Sequence, residues 1–252
     1  MQNRLTPLAG WLVMALSLIA VPRLAAQNPS GSTPDFSGVW MANENVRSFN
    51  FQEPPPLAPR AAEIYRANRN GIASPLEAGV DIMDPSIYCL SDGFPRVYLS
   101  NYPVEIVQVP GRLYMHFESG HLLRRVYLDG RIMPDGYPPS FMGFSSGRWD
   151  RDTLVIETTG LTELTWIDRT GTPHSDALRV VERMRRPAQN TIEIDLTFHD
   201  SKAFTKPWTG KRVLLLQPDW EIIEQNGVCE DRFREDFSRK SLRGDWANPE
   251  QY

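Results

Sequence analysis

The chain has 252 residues, with 27 Lys and Arg against 31 Asp and Glu and a formal net charge of −4. Its basic residues are scattered among acids, which argues against a nucleic-acid partner. The length allows one domain with a substantial core.

Residues 1–26 run from Arg4 through an apolar stretch, Leu8–Val21, to Pro22-Arg23-Leu24-Ala25-Ala26. Charged, apolar and small-residue segments in that order read as a secretory signal cut after Ala26. The apolar stretch is too short to span a bilayer comfortably, and no Cys stands at the junction to carry a lipid. The expectation is a periplasmic or secreted protein without a membrane anchor, its single domain covering 27–252.

Residues 27–37 form a lead-in, and Gly38-Val39-Trp40 opens the first strand. Pro54, Pro55, Pro56 and Pro59 make an extended, turn-rich stretch. Arg60–Asn70 has helical spacing, with Ala61, Ile64, Tyr65 and Asn68 three and four apart. The chain is then irregular through 71–101, a length usual for loops that bind or close over a site. Strands are predicted at Val104–Val109, Leu113–Glu118, Leu122–Leu128, Thr153–Thr159, Asp176–Arg185, Thr191–Phe198, Arg212–Gln217 and Glu221–Gln225, with Arg148–Thr159 reading as continuous strand. Short strands separated by Gly and Pro turns predict a mainly β fold, an antiparallel barrel with a short N-terminal helix and long loops. Cys89 and Cys229, an even pair in an oxidising compartment, read as one disulfide. Two free buried thiols are the other reading.

Charge placed among hydrocarbon marks the candidate site. Alternate strand residues share a face, so Glu182 lies between Val180 and Met184 and must be paired, hydrogen-bonded or protonated. Arg179 falls on the opposite face of that strand. In Leu113–Glu118, the residues Tyr114, His116 and Glu118 share a face opposite Leu113, Met115 and Phe117. If that face lined a cavity, His116 and Glu118 would form an acid/base pair beside Glu182; otherwise it is the wet side of a sheet. His174 follows Pro173 and reads either as a residue at the cavity mouth or as a loop His ordering a turn with Asp168 or Ser175. His116 and His121, five apart on one strand, would face opposite sides, so no metal site and no cofactor are expected.

Gly143-Phe144-Ser145-Ser146-Gly147 matches G-x-S-x-G, followed by Asp168 and His174 in hydrolase order. That elbow needs a strand before it and a helix after it, whereas strand follows here. Aromatic residues including Trp149 suit a flat or apolar ligand if they line one cavity.

Several motifs together resemble a large group of exported bacterial proteins. Asp35–Trp40 (DFSGVW) is similar to the Gly-x-Trp opening of lipocalin-like barrels. The others are Cys89 before Gly93-Phe94-Pro95-Arg96, Glu105–Gln108 with Pro110-Gly111-Arg112, Arg124–Arg131, Met142–Thr158, Thr165–Ser175 and Lys206-Pro207-Trp208. Phe144 stands where that group usually has His. The resemblance implies a lipocalin-like barrel and export, and it names no substrate.

The leading expectation is a barrel holding a small organic ligand, with Glu182, His116, Glu118, Arg125 and Tyr127 as polar contacts. The alternative is a cofactor-independent lyase, isomerase or hydrolase on the same barrel. It would use Glu182 or His174 as base and Tyr114 or Arg179 as acid or anion stabiliser. A third reading makes the buried charges internal salt bridges of an envelope-associated protein.

Overall fold

In a computed structural model of the chain, residues 33–73, 84–88 and 90–223 are described. The expected signal segment, 1–26, and the proposed disulfide pair, Cys89 and Cys229, lie outside them.

Nine strands form one closed barrel in chain order, with the ninth paired to the first. They are β1 (Gly38–Ala42), β2 (Val104–Val109), β3 (Arg112–Phe117), β4 (Leu122–Tyr127), β5 (Phe144–Asp150), β6 (Thr153–Thr159), β7 (Arg179–Ala188), β8 (Thr191–His199) and β9 (Trp208–Leu216). One helix, α1 (Pro59–Ala73), stands between β1 and β2. The fold is therefore mainly β and of the lipocalin-like kind. Every neighbouring pair is antiparallel except β4–β5, where Val126 faces Ser145 and Tyr127 faces Ser146 in parallel register. A parallel pair needs a long crossover, and residues 128–143 provide it.

Alternation fills the interior. Leu113, Met115 and Phe117 of β3 point inward with Ile192, Ile194, Leu196 and Phe198 of β8, all buried. The registers place the tight connections β2–β3, β5–β6 and β7–β8 at one end. Trp40 packs toward that end, its Nε1–H donating to Phe36 O at 2.9 Å and the Arg186 guanidinium 5.1 Å over its ring. The long segments 43–58, 84–103, 160–178 and 200–207 gather at the other end. An aromatic group of Phe49, Phe51, Phe198, Phe204 and Trp208 closes part of it. Gly210 faces that group, and a Cβ there would stand 2.8 Å from the Phe51 ring, so the close approach requires glycine.

Four expected strands differ most: the one expected at Arg212–Gln217 begins at Trp208 and ends at Leu216, and three others follow. Asp176–Arg185 begins as strand only at Arg179, because Asp200 accepts from the Ser175 N–H at 2.7 Å and its hydroxyl at 2.8 Å, holding the chain in a turn. Arg148–Thr159 is two strands, separated by a turn in which Arg151 takes a φ of 60°. Residues 221–223 of the expected Glu221–Gln225 strand are not strand, and 224–225 lie outside the described residues.

Candidate functional site

The alternation that set Glu182 among Val180 and Met184 does turn it into the barrel, where it is fully buried. Its partner is Arg124, which β4 turns inward between Leu122 and Val126 and which is 1% exposed. Arg124 Nη2 contacts Glu182 Oε2, and Nη1 donates to Oε1 at 3.1 Å. The Tyr98 hydroxyl donates to the same Oε1 at 2.8 Å and accepts from Nη1 at 2.9 Å. The remaining guanidinium hydrogens go to Ser145 Oγ (3.1 Å, from Nε) and Thr158 Oγ1 (2.8 Å, from Nη2). The Phe94 ring covers the guanidinium at 3.9 Å.

Such closure is what a buried ion pair needs to offset its desolvation. Burial, and then the Glu182 charge, push the Tyr98 phenol well above its usual range. Burial opposes the Arg124 charge, but Glu182 and Tyr98 outweigh it and hold that guanidinium above its ordinary pKa. Both Glu182 oxygens are thus occupied by the protein's own groups. The segment 94–100 brings Phe94, Val97, Tyr98 and Leu99, all buried, into the loop-bearing end and fills the space over the pair. Ser145 of the G-x-S-x-G match therefore serves Arg124, not a strand-to-helix elbow; Gly143, at a φ of 62°, begins the turn into β5.

His116 and Tyr114 do not join Glu182. The face they occupy is the outer one, since Leu113, Met115 and Phe117 face in. On that wall Tyr114 stands opposite Arg125, and Arg112 opposite Tyr127. His116 stands opposite Glu105 and Leu123. Arg112 Nη1 donates to the Tyr114 hydroxyl at 3.3 Å. Arg125 and Tyr127, with Leu123, Tyr137 and Met142, line an outer groove of about 280 Å³ beneath the β4–β5 crossover. His121 is not on the β3 strand; it follows in a turn, and its ring lies 6.3 Å from that of His116. No group of three His, Cys, Asp or Glu is placed to hold a metal among the described residues.

The other candidates scatter. Glu118, buried at the exit of β3, accepts from the Ile223 N–H at 3.3 Å. Arg179 pairs with Glu157 at 2.8 Å on the outer wall. Trp149 stacks on Phe36 at 5.7 Å near the tight-turn end.

Asp168 and His174 shape a loop. Asp168 accepts from the Thr170 N–H (3.0 Å), the Thr170 hydroxyl (2.8 Å), the Thr172 N–H (3.3 Å) and the Ser48 hydroxyl. Asn68 of α1 donates to Gly171 O at 2.8 Å, tying the helix to the same loop. His174 is buried, with Nδ1 3.0 Å from Ser175 O and Nε2 2.9 Å from the Thr165 hydroxyl. A carbonyl only accepts, so Nδ1 carries the hydrogen, and burial, which disfavours the charged ring, leaves Nε2 to accept from the Thr165 hydroxyl.

Burial lowers the His174 pKa below its usual 6.5, opposed by its bond to Ser175 and by the charges of Asp200 and Glu163. The unfolded chain therefore takes up a proton near pH 6.5 that the folded chain refuses. This contribution to stability is complete above that pH and lost as pH falls below it toward the folded value. In denaturant titrations from pH 7.5 to 5, His174→Asn should flatten the decline relative to wild type. Asn keeps a donor for Ser175 O, and His199 titrates alike in both proteins. Parallel curves would mean that His174 does not titrate differently on folding.

Two open clefts lie at the loop-bearing mouth, on either side of the 43–50 loop. The larger, about 460 Å³, is lined by Asn45 and Arg47, by Asp84, Ser86 and Asp92, and by Arg96, Asn101 and Arg169. Arg96 is 4% exposed and fixed by Asp84 (2.9 and 3.0 Å) and Asp92 (3.1 Å), its guanidinium 5.5 Å over Trp166. Burial works against the Asp84 charge, yet Arg96 and Ser86 outweigh it and hold that carboxyl below its usual range. The second cleft, about 350 Å³, includes Asn43, Ser48, Asn50, Lys211 and Arg212. The sequence reading reached only the 71–101 loop and Asp168 of this region, and Asp168 supports the cleft without lining it. No protein-family model matches the chain, and no curated protein matches it.

Proposed function

We propose that this is an exported barrel protein that binds a small polar organic ligand at the loop-bearing mouth, not in the barrel interior. The observation that carries this reading is the larger mouth cleft, whose eight lining side chains are all polar. Its volume lies within the usual range for small-molecule sites, about 300–1,000 Å³. Arg96 and Asp92 give it a rigid wall, whereas Asn45, Asn101 and the Arg169 guanidinium are left to meet a guest. One motif that resembles the exported group's, Gly93–Arg96, reaches the cleft through Arg96. Export is supported by the order of charged, apolar and small residues in 1–26.

A thermal-shift screen of the protein against organic acids, sugars and phenolics tests the reading. A true ligand should raise the melting temperature of wild type and of Arg125→Ala. It should lose most of that effect with Asn101→Ala or Arg169→Ala. The reverse pattern would move the site to the outer groove, and a library without a single stabiliser would sink both.

An acid/base enzyme remains the second reading, favoured by Tyr114, His116, Arg125 and Tyr127 sharing one outer face. It requires product from a screening hit, lost in His116→Gln.

A further inference from the structure

Alternation on β4 puts Leu123, Arg125 and Tyr127 on the outer side of the wall, beneath the crossover that carries the chain to β5. The groove between wall and crossover holds about 280 Å³, and Tyr137, Phe141 and Met142 form its crossover side. Both sides are anchored. Phe144 stacks on Tyr127 at 5.1 Å and meets the edge of Tyr137 at 5.5 Å. The Ser140 N–H donates to Gly160 O at 3.0 Å, the Thr162 N–H donates to Ser140 O at 3.0 Å, and Ser140 Oγ accepts from the Gly143 N–H at 3.0 Å.

Arg125 is the one charged residue lining this groove among the described residues. Among those residues it has neither a carboxylate within salt-bridge distance nor a hydrogen-bond partner, and the Tyr127 and Tyr137 hydroxyls have no hydrogen-bond partner either. The β7 arginines on the outer wall, Arg179, Arg183 and Arg185, are by contrast each held by an acid. Acids near the groove are taken or turned away from it. Asp129 is bound by Arg131, and Glu157, opposite Ser146, by Arg179. Glu105 stands two strands from Arg125, opposite His116, and Asp135 does not line the groove. In open water a lone guanidinium costs little. Sharing a groove with Leu123, Phe141 and Met142, it gives an apolar trough one cationic end.

Independently of the mouth, we propose that this groove binds a small monocarboxylate with an apolar body. The carboxylate sits on Arg125 and the body against Leu123, Phe141 and Met142. A guanidinium fork donates two parallel N–H bonds to a carboxylate, and one fork answers one charge. The two tyrosine hydroxyls are further donors for an oxygen on the ligand. The volume stands at the small end of ligand sites, about 300–1,000 Å³, which suits a single ring or a short alkyl chain. Aromatic and short aliphatic acids share this chemistry.

The test is calorimetry with 3-phenylpropanoate and hexanoate, against 3-phenylpropanamide and acetate, at low and at physiological salt. One or both acids should bind tighter than the amide and acetate by about tenfold or more, and binding should weaken as salt rises. The tighter acid separates an aromatic from an aliphatic body. Arg125→Gln should weaken binding by about 10- to 100-fold, the range for a lost charge-assisted bond. Leu123→Asn should weaken it by about 3- to 10-fold through lost apolar contact. Both side chains are exposed, so the melting temperature without ligand should not change in either variant. Arg183→Gln, which removes an outer-wall arginine elsewhere, should bind like wild type. Affinity indifferent to Arg125, or equal for acid and amide, would overturn the proposal. Acids that instead need Asn101 or Arg169 would sit at the mouth, so the groove would fail while the mouth reading stood. Silence from both acids would also remove the groove, whatever neutral compounds do at the mouth.

Discussion

Glu182→Gln should cost about 3–5 kcal/mol of folding stability, the usual consequence of removing one partner of a buried ion pair. The loss comes from what is left behind. Arg124 is 1% exposed, with Phe94 over its face, and an amide at 182 supplies oxygen but no counter-charge. For a chain of this size the melting temperature should fall on the order of 10 °C. Arg124→Met should be as harmful, because it strands the carboxylate instead. Removing both, as Arg124→Met with Glu182→Leu, should cost less than either alone, since matched apolar groups lose no unpaired charge. Thermal unfolding of the four proteins measures this directly. Full additivity of the two single effects would mean that the pair does not act as a unit. Mouth-ligand affinity of the folded Glu182→Gln protein should remain, whereas a catalytic carboxylate would show intact binding with lost turnover.

A second large effect is expected at Asp168. Its carboxylate gathers four hydrogen bonds from Ser48, Thr170 and Thr172, and three of those donors have no other acceptor of comparable length. Asp168→Ala should destabilise by about 1–3 kcal/mol, because the buried Thr172 N–H is left unpaired whereas water can reach the part-buried Ser48 and Thr170 donors. The loop carries Arg169, so affinity at the mouth should fall with stability. Asp168→Asn separates the two. It retains acceptor capacity on one oxygen, so it should recover part of the stability and, by the same geometry, part of the binding. Loss of binding in Asp168→Asn at wild-type stability would instead place this carboxylate in contact with the ligand.

The barrel was legible because period-two alternation is strict: β2 and β6 begin and end where the pattern places them, and β8 runs one residue longer. β5 was hidden by its own continuity with β6. Nothing in Arg148–Thr159 announces that Arg151, not a glycine, takes the left-handed turn. Glu182 stood out as an acid among apolar neighbours. Arg124 carries the same signal, between Leu122 and Val126, but Arg125, the arginine expected among the polar contacts, is the one that faces outward. Of the mouth, only the long 71–101 loop and Asp168 were legible. The mouth draws on 43–50, 84–101, Arg169 and Arg212, and no local pattern ties segments so far apart to one cleft.

The pairing of β1 with β9 has a consequence for the order of assembly. Trp40 lies opposite Leu216, so the ring cannot close until nearly the whole described chain has been delivered. Contacts of such sequence separation slow folding. A chain threaded out of the cytoplasm from its N-terminus would present β1 to β6 first, as an open and curving sheet with Arg124 on its concave side. The acid that neutralises it arrives later, with β7. Until then the unpaired cation would keep water at the centre of that concave side and oppose its premature collapse.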